Sequence, residues 1–170
     1  MLSALGEREA ALAAAREAVA LRRDLAAQRP DAFRPDLAGS LNNLANTLST
    51  LGQHEAALAA AQEAVALYRD LAAQRPDAFR PDLAMSLWVL ADCLDAVDRR
   101  EDGLVANAEA IVTLTDLFRR SPAAFGHRIR GMVKEYVERC EKLEREPDMR
   151  VLGSEIEVFQ ALRSGGDAEG

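Results

Sequence analysis

The chain has 170 residues, 49% of them hydrophobic, and a formal net charge of −7; that length suits one domain and that apolar content supplies a continuous core. Acids outnumber bases in both halves, 13 to 9 over residues 1–97 and 15 to 12 over 98–170, so no basic stripe offers a sequence-independent grip on nucleic acid. No apolar run approaches the roughly 18 residues a membrane span needs, and no basic region followed by a long apolar run opens the chain as a leader would.

Residues 1–5 read as the tail of a helix, and a second helix is expected over about 8–28. The next is expected over about 36–51, where Leu37, Leu41, Leu44, Leu48 and Leu51 recur at spacings of three and four and mark one apolar face. Gly52 then supplies the left-handed residue that ends a helix at little cost. A helix over about 54–74 is carried by Ala57, Leu58, Ala61, Ala64, Val65, Leu67 and Leu71, and Pro76 stops it. The stretch from Arg75 to Asp82 reads as a connector, with Pro81 at or near a first helical position. Further helices are expected over about 82–97, 100–120, 127–146 and 148–163, the last opened by Glu146-Pro147-Asp148. One helical domain thus covers 1–163, and residues 164–170 have the composition of a disordered tail.

These elements repeat. Residues 2–38 align with 48–84 at an offset of 46, and only five of the 37 pairs differ: Ala4/Thr50, Glu7/Gln53, Arg8/His54, Arg16/Gln62 and Arg22/Tyr68. With some decay the register runs on through Pro30, Pro76 and Pro122, through Phe33, Phe79 and Phe125, and through Leu12, Leu58 and Leu104. Such self-similarity marks duplicated modules that stack as equivalents. The phenylalanines are expected to tuck between neighbouring helix pairs.

The positions of Leu41, Leu44, Ala45, Leu48, Gly52, Ala57 and Ala64 resemble the tetratricopeptide repeat, as do Leu87, Leu90, Ala91, Leu94, Gly103 and Ala110 in the next unit. The small residues Ala45, Ala57 and Ala64 would let two helices approach closely. The repeat length of 46 exceeds the usual value of about 34, and the segment Leu41-Asn42-Asn43-Leu44-Ala45 is similar to the long-repeat class found in kinesin light chains. Asp98 replaces the turn glycine of the third unit, and the pattern fades from about His127. The resemblance implies an all-α fold: a right-handed superhelical stack of antiparallel helix pairs, an α-solenoid whose first helices line a concave groove that takes a peptide or protein partner.

Residues between the core positions of those first helices are the groove candidates: Asn42, Asn43, Asn46 and Thr50 in one unit, and Met85, Trp88 and Asp92 in the next. Three asparagines within five residues cost helix stability, and an amide that donates and accepts suits an extended peptide backbone. Against this, polar residues on a solvated face need no function. Trp88, the one tryptophan, reads either as an anchor or as filler between helices. Asp92 and Asp95 read as a solvated acidic face or as a contact for a basic ligand. The basic clamp that some family members close on a carboxylate is not visible.

No cofactor, metal site or catalytic residue is expected. His54 and His127, the second in a connector, lack partners at metal-ligand spacing. Cys93 and Cys140 match core positions and read as reduced thiols of a cytoplasmic protein. The expected function is that of a cytoplasmic protein-interaction scaffold, with no membrane or nucleic-acid partner. The alternatives are a self-associating structural module, in which a second copy covers Ala11, Ala15 and Ala18, or a regulatory fragment of a larger signalling protein.

Overall fold

The computed structural model describes residues 2–153, folded as α1 (Leu2–Gln28), α2 (Pro30–Thr50), α3 (His54–Gln74), α4 (Pro76–Ala96), α5 (Arg100–Arg120), α6 (Pro122–Lys142) and α7 (Met149–Leu152), with no strand among the described residues. Consecutive helices pack on one another from α1 to α6, and α2 also touches α4. The result is a stacked array in which α2, α4 and α6 are the equivalent first helices of successive units, and α1, α3 and α5 the equivalent second helices.

The helix starts depart from expectation. The segments 29–36 and 75–82 are not connectors, because α2, α4 and α6 begin at Pro30, Pro76 and Pro122, each in the first turn. A first-turn N–H has no intrahelical acceptor, so proline gives up nothing there, and its fixed φ favours entry. Pro35 and Pro81 consequently lie one turn inside their helices. His127 likewise belongs to α6. Arg29 and Arg75 provide no side-chain cap; each lays its guanidinium over the following phenylalanine, at 4.9 Å from Phe33 and 4.8 Å from Phe79.

Helix ends follow the repeat closely. Gly52 has φ +73°, Asp98 +60° and Glu144 +53°, and the three are 46 residues apart. At each the next N–H bonds five residues back, Gln53 to Leu48, Arg99 to Leu94 and Arg145 to Cys140, all at 2.9 Å, which closes the helix as a Schellman turn. The fourth unit therefore keeps the turn that its sequence had seemed to lose, and α6 ends at Lys142 rather than near 146. At the other end α1 runs through Gly6 from Leu2, where a break had been expected. Leu-Ser-x-Leu-Gly ends α2 at 48–52 yet is helical at 2–6, so packing against a neighbour, and not the local sequence, decides the turn. Asp148 caps α7, accepting the Arg150 N–H at 2.8 Å. The remainder of the expected helix over 148–163, and the tail over 164–170, lie outside the described residues.

Small residues make the close contacts. Ala45 of α2 and Ala57, Ala61 and Ala64 of α3 are all fully buried, in one cluster with Leu41, Leu48 and Leu58. A second cluster, built on Leu87, Ile111, Leu114, Ile129, Met132 and Val133, joins α4, α5 and α6 and takes in Phe79 and Phe125 at its edge. Phe33 packs on the first cluster in the same way. Exposed ion pairs run in register along the stack: Arg23–Glu63 and Arg69–Glu109, each at 2.7 Å, join successive second helices, while Arg34–Asp70 at 2.8 Å and Arg80–Asp116 at 3.8 Å join the first and second helices of one unit. Pairs so exposed contribute about 0–1 kcal/mol apiece; they complement the register that the core sets.

Candidate functional site

The asparagine row of α2 divides in two. Asn42 is half-buried, and its Nδ2 donates to Ser86 Oγ of α4 at 2.6 Å. Its Oδ1 is shielded from solvent and has no hydrogen-bond partner. Asn43, Asn46 and Thr50 are exposed. The Thr50 hydroxyl donates to its own helix at the Thr47 carbonyl, 2.8 Å away, whereas the two asparagine amides have no partner among the described residues.

Beside this row lies a concavity of about 460 Å³. Pro35, Asp36, Gly39, Asn42 and Asn43 of α2 form one wall, Asp82 of α4 faces them, and Arg22 of α1 and Tyr68 of α3 complete the lining. Arg22 donates to Ser40 Oγ, and Tyr68 Oη donates to the Pro35 carbonyl at 3.4 Å. Burial, reinforced by the charges of Asp82 and Asp36, pushes the Tyr68 phenol up to about 12. Burial also raises the Asp82 carboxyl, against an opposing pull from Arg128. Arg22 and Tyr68, one of the five differences between the first two units, thus meet in one place.

The candidates on α4 are engaged with the rest of the protein. Met85 packs against the second core cluster. Trp88 is half-buried against α6: a Cβ at Gly131 would come within 2.8 Å of its Cη2, and its Nε1–H donates to Glu135 at 2.5 Å. That placement matches space-filling between helices. Asp92 accepts from Arg139 at 2.5 Å.

Arg139 is the residue that sequence reasoning missed. Its side chain is 7% exposed, and it donates to Asp92, to Asp95 at 2.9 Å, to Glu135 at 3.1 Å and to Asn107 Oδ1 at 2.6 Å. Asn107, itself fully buried, passes its Nδ2 on to the Met132 carbonyl at 3.0 Å. The available signal was register: Arg139 aligns with Thr47 and Cys93, facing inward, where a cation needs partners. Three carboxylates share this one guanidinium. Burial alone would lower the Arg139 pKa, but Asp95, Glu135 and Asp92 together hold it above its ordinary value. Asp92 is under-compensated, its carboxyl raised first by burial and then by Glu135, despite the pull of Arg139.

Cys93 and Cys140 are buried free thiols, and burial pushes Cys93 up to about 11, away from the reactive thiolate. Among the described residues no three His, Cys, Asp or Glu side chains gather as metal ligands, and no helix is long and apolar enough to cross a membrane.

Residues 37–73, from the core of α2 to the end of α3, match the family model for the tetratricopeptide repeat. No curated protein matches the chain. Among solved structures, BtubC (BKLC) from P. vanneervenii is similar in fold, with a TM-score of 0.64 at 20% identity over 92% of this chain. The match spans 58% of that protein's length.

Proposed function

We propose that this chain, in which residues 37–73 match the tetratricopeptide repeat, is a non-catalytic, cytoplasmic adaptor that holds a polypeptide partner along α2 and α4. Such repeats generally mediate protein–protein interaction. The observation that carries the reading is the outward row of Asn43 and Asn46, whose amides have no partner among the described residues, set beside the concavity that Asn42 lines. Unpartnered amides on a rigid helix can pair with the N–H and C=O groups of an extended backbone at little ordering cost. Trp88 and Met85 contribute by holding α4 in place, and Thr50 borders the row. Affinity capture with the Asn42→Ala/Asn43→Ala/Asn46→Ala variant tests this: the expected result is loss of partners bound by the natural chain, with unchanged helicity. Full retention would remove the proposal.

A second reading, self-association, has its own support. Ala11, Ala15 and Ala18 of α1 correspond to Ala57, Ala61 and Ala64 of α3, which are fully buried; on α1 Ala11 is exposed, Ala15 and Ala18 are half-buried, and Leu21 is 58% exposed. Sedimentation equilibrium of the natural chain and of Leu21→Glu decides it, a monomer at high concentration ruling it out.

A further inference from the structure

The lining of the concavity between α2 and α4 says what chemistry it lacks. Three of its donors are engaged within the protein, Arg22 on Ser40, Asn42 Nδ2 on Ser86 and the Tyr68 hydroxyl on the Pro35 carbonyl, while the Asn43 amide at its rim stays open to solvent. Its side-chain acceptors are not engaged. Asp36 and Asp82 occupy the same register position on neighbouring first helices, and both act electrostatically on Tyr68 between them. Neither carboxylate has a salt-bridge partner among the described residues, and Asn42 Oδ1 is shielded without a donor. Arg22 and the more distant Arg128 are the opposing charges.

We propose, building on the docking reading, that this concavity takes the guanidinium of an arginine-bearing segment of the partner polypeptide. A volume of about 460 Å³ accommodates a long side chain. The guanidinium carries five donors in a planar fork and no acceptor, which complements a lining of two carboxylates and an amide oxygen. The same protein shows such a set filled from within: at the junction of α4 with α6, Arg139 occupies a cage of carboxylates and the Asn107 amide oxygen.

The test uses the whole chain with N-acetylarginine methylamide as probe and the neutral citrulline analogue as its match in shape, followed by backbone amide NMR up to the solubility of each. The arginine probe is expected to move the amides of Gly39, Asn42 and Asn43 saturably. Asp36→Asn/Asp82→Asn should weaken it about tenfold, as loss of charge-assisted hydrogen bonds implies; citrulline should leave those amides in place. Absence of saturable movement, or equal movement by both probes, overturns the proposal. Affinity capture separates it from the docking reading. If the asparagine variant loses its partner while Asp36→Asn/Asp82→Asn keeps it undiminished, the arginine assignment fails and the groove stands. If both variants keep it, both fail.

Discussion

Replacing Arg139 with methionine would leave Asp92, Asp95 and Glu135 facing one another without a cation. The carboxylates are partly exposed, so water relieves part of the repulsion; the lost charge-assisted hydrogen bonds cost about 1–3 kcal/mol, and urea denaturation at neutral pH should show a loss of that order. The pH dependence follows from the carboxylates. Without Arg139 the Asp92 carboxyl loses the pull that opposes its burial and rises further above its ordinary value, so the repulsion it feels is present at neutral pH and disappears as pH falls through that raised value. The gap between the variant and the natural protein should therefore narrow on acidification. Asp92→Asn should change stability little, because Asp92 is raised already: whatever it contributes is fully present only below the ordinary carboxylate range and is lost as pH rises through its raised value. At the helix ends, Glu144→Gly should stabilise by about 1 kcal/mol by relieving a left-handed backbone, and Asp98→Gly by less, since aspartate tolerates that region better; thermal melts of the two variants check the order. Gly52 was legible in the sequence as a turn. Glu144 was not, because a residue poorly suited to φ +53° gives no local sign of it.

Elements were legible wherever a 3.6-residue apolar period coincided with the 46-residue register, as in α3 and α5, whose limits agree with expectation. The starts of α2, α4 and α6 were misread because proline both stops one helix and opens the next, and a proline one turn further in mimics a second start. Among the groove candidates, Asn43, Asn46 and Thr50 stand exposed, Met85 and Trp88 pack against other parts of the fold, and Asp92, though exposed, is held by Arg139. Periodicity places a residue on a face of its own helix. It carries no information about how far the next helix leans over, and α6, with Gly131 in register with Met85, lets Trp88 close that gap. Gly131→Ala should drive the indole off α6, at about 1–3 kcal/mol for overpacking. Trp88, the sole tryptophan, reports directly: its fluorescence should shift to the red with the melting loss.

Across the whole molecule, α1 and α3 are a natural experiment, nearly identical in sequence and different in cover. Native-state amide exchange by NMR should show α1 less protected than α3 at paired positions such as Ala11 and Ala57, because local opening follows packing and not composition. Equal protection would mean that α1 is covered in solution, as self-association requires. Repeat arrays distribute stability by nearest-neighbour contacts, so this contrast should appear without loss of overall helicity.

The cage around Arg139 also bears on how such an array can lengthen. A further 46-residue copy spliced in ahead of α4 would meet neighbours almost identical to its parents and would seat without new chemistry. One spliced in between α4 and α6 would separate Asp92 and Asp95 from their cation, leaving the buried Arg139 guanidinium with Glu135 as its remaining carboxylate. Growth by duplication is thereby steered toward the amino-terminal side, with the carboxy-terminal junction acting as a lock that accepts one key.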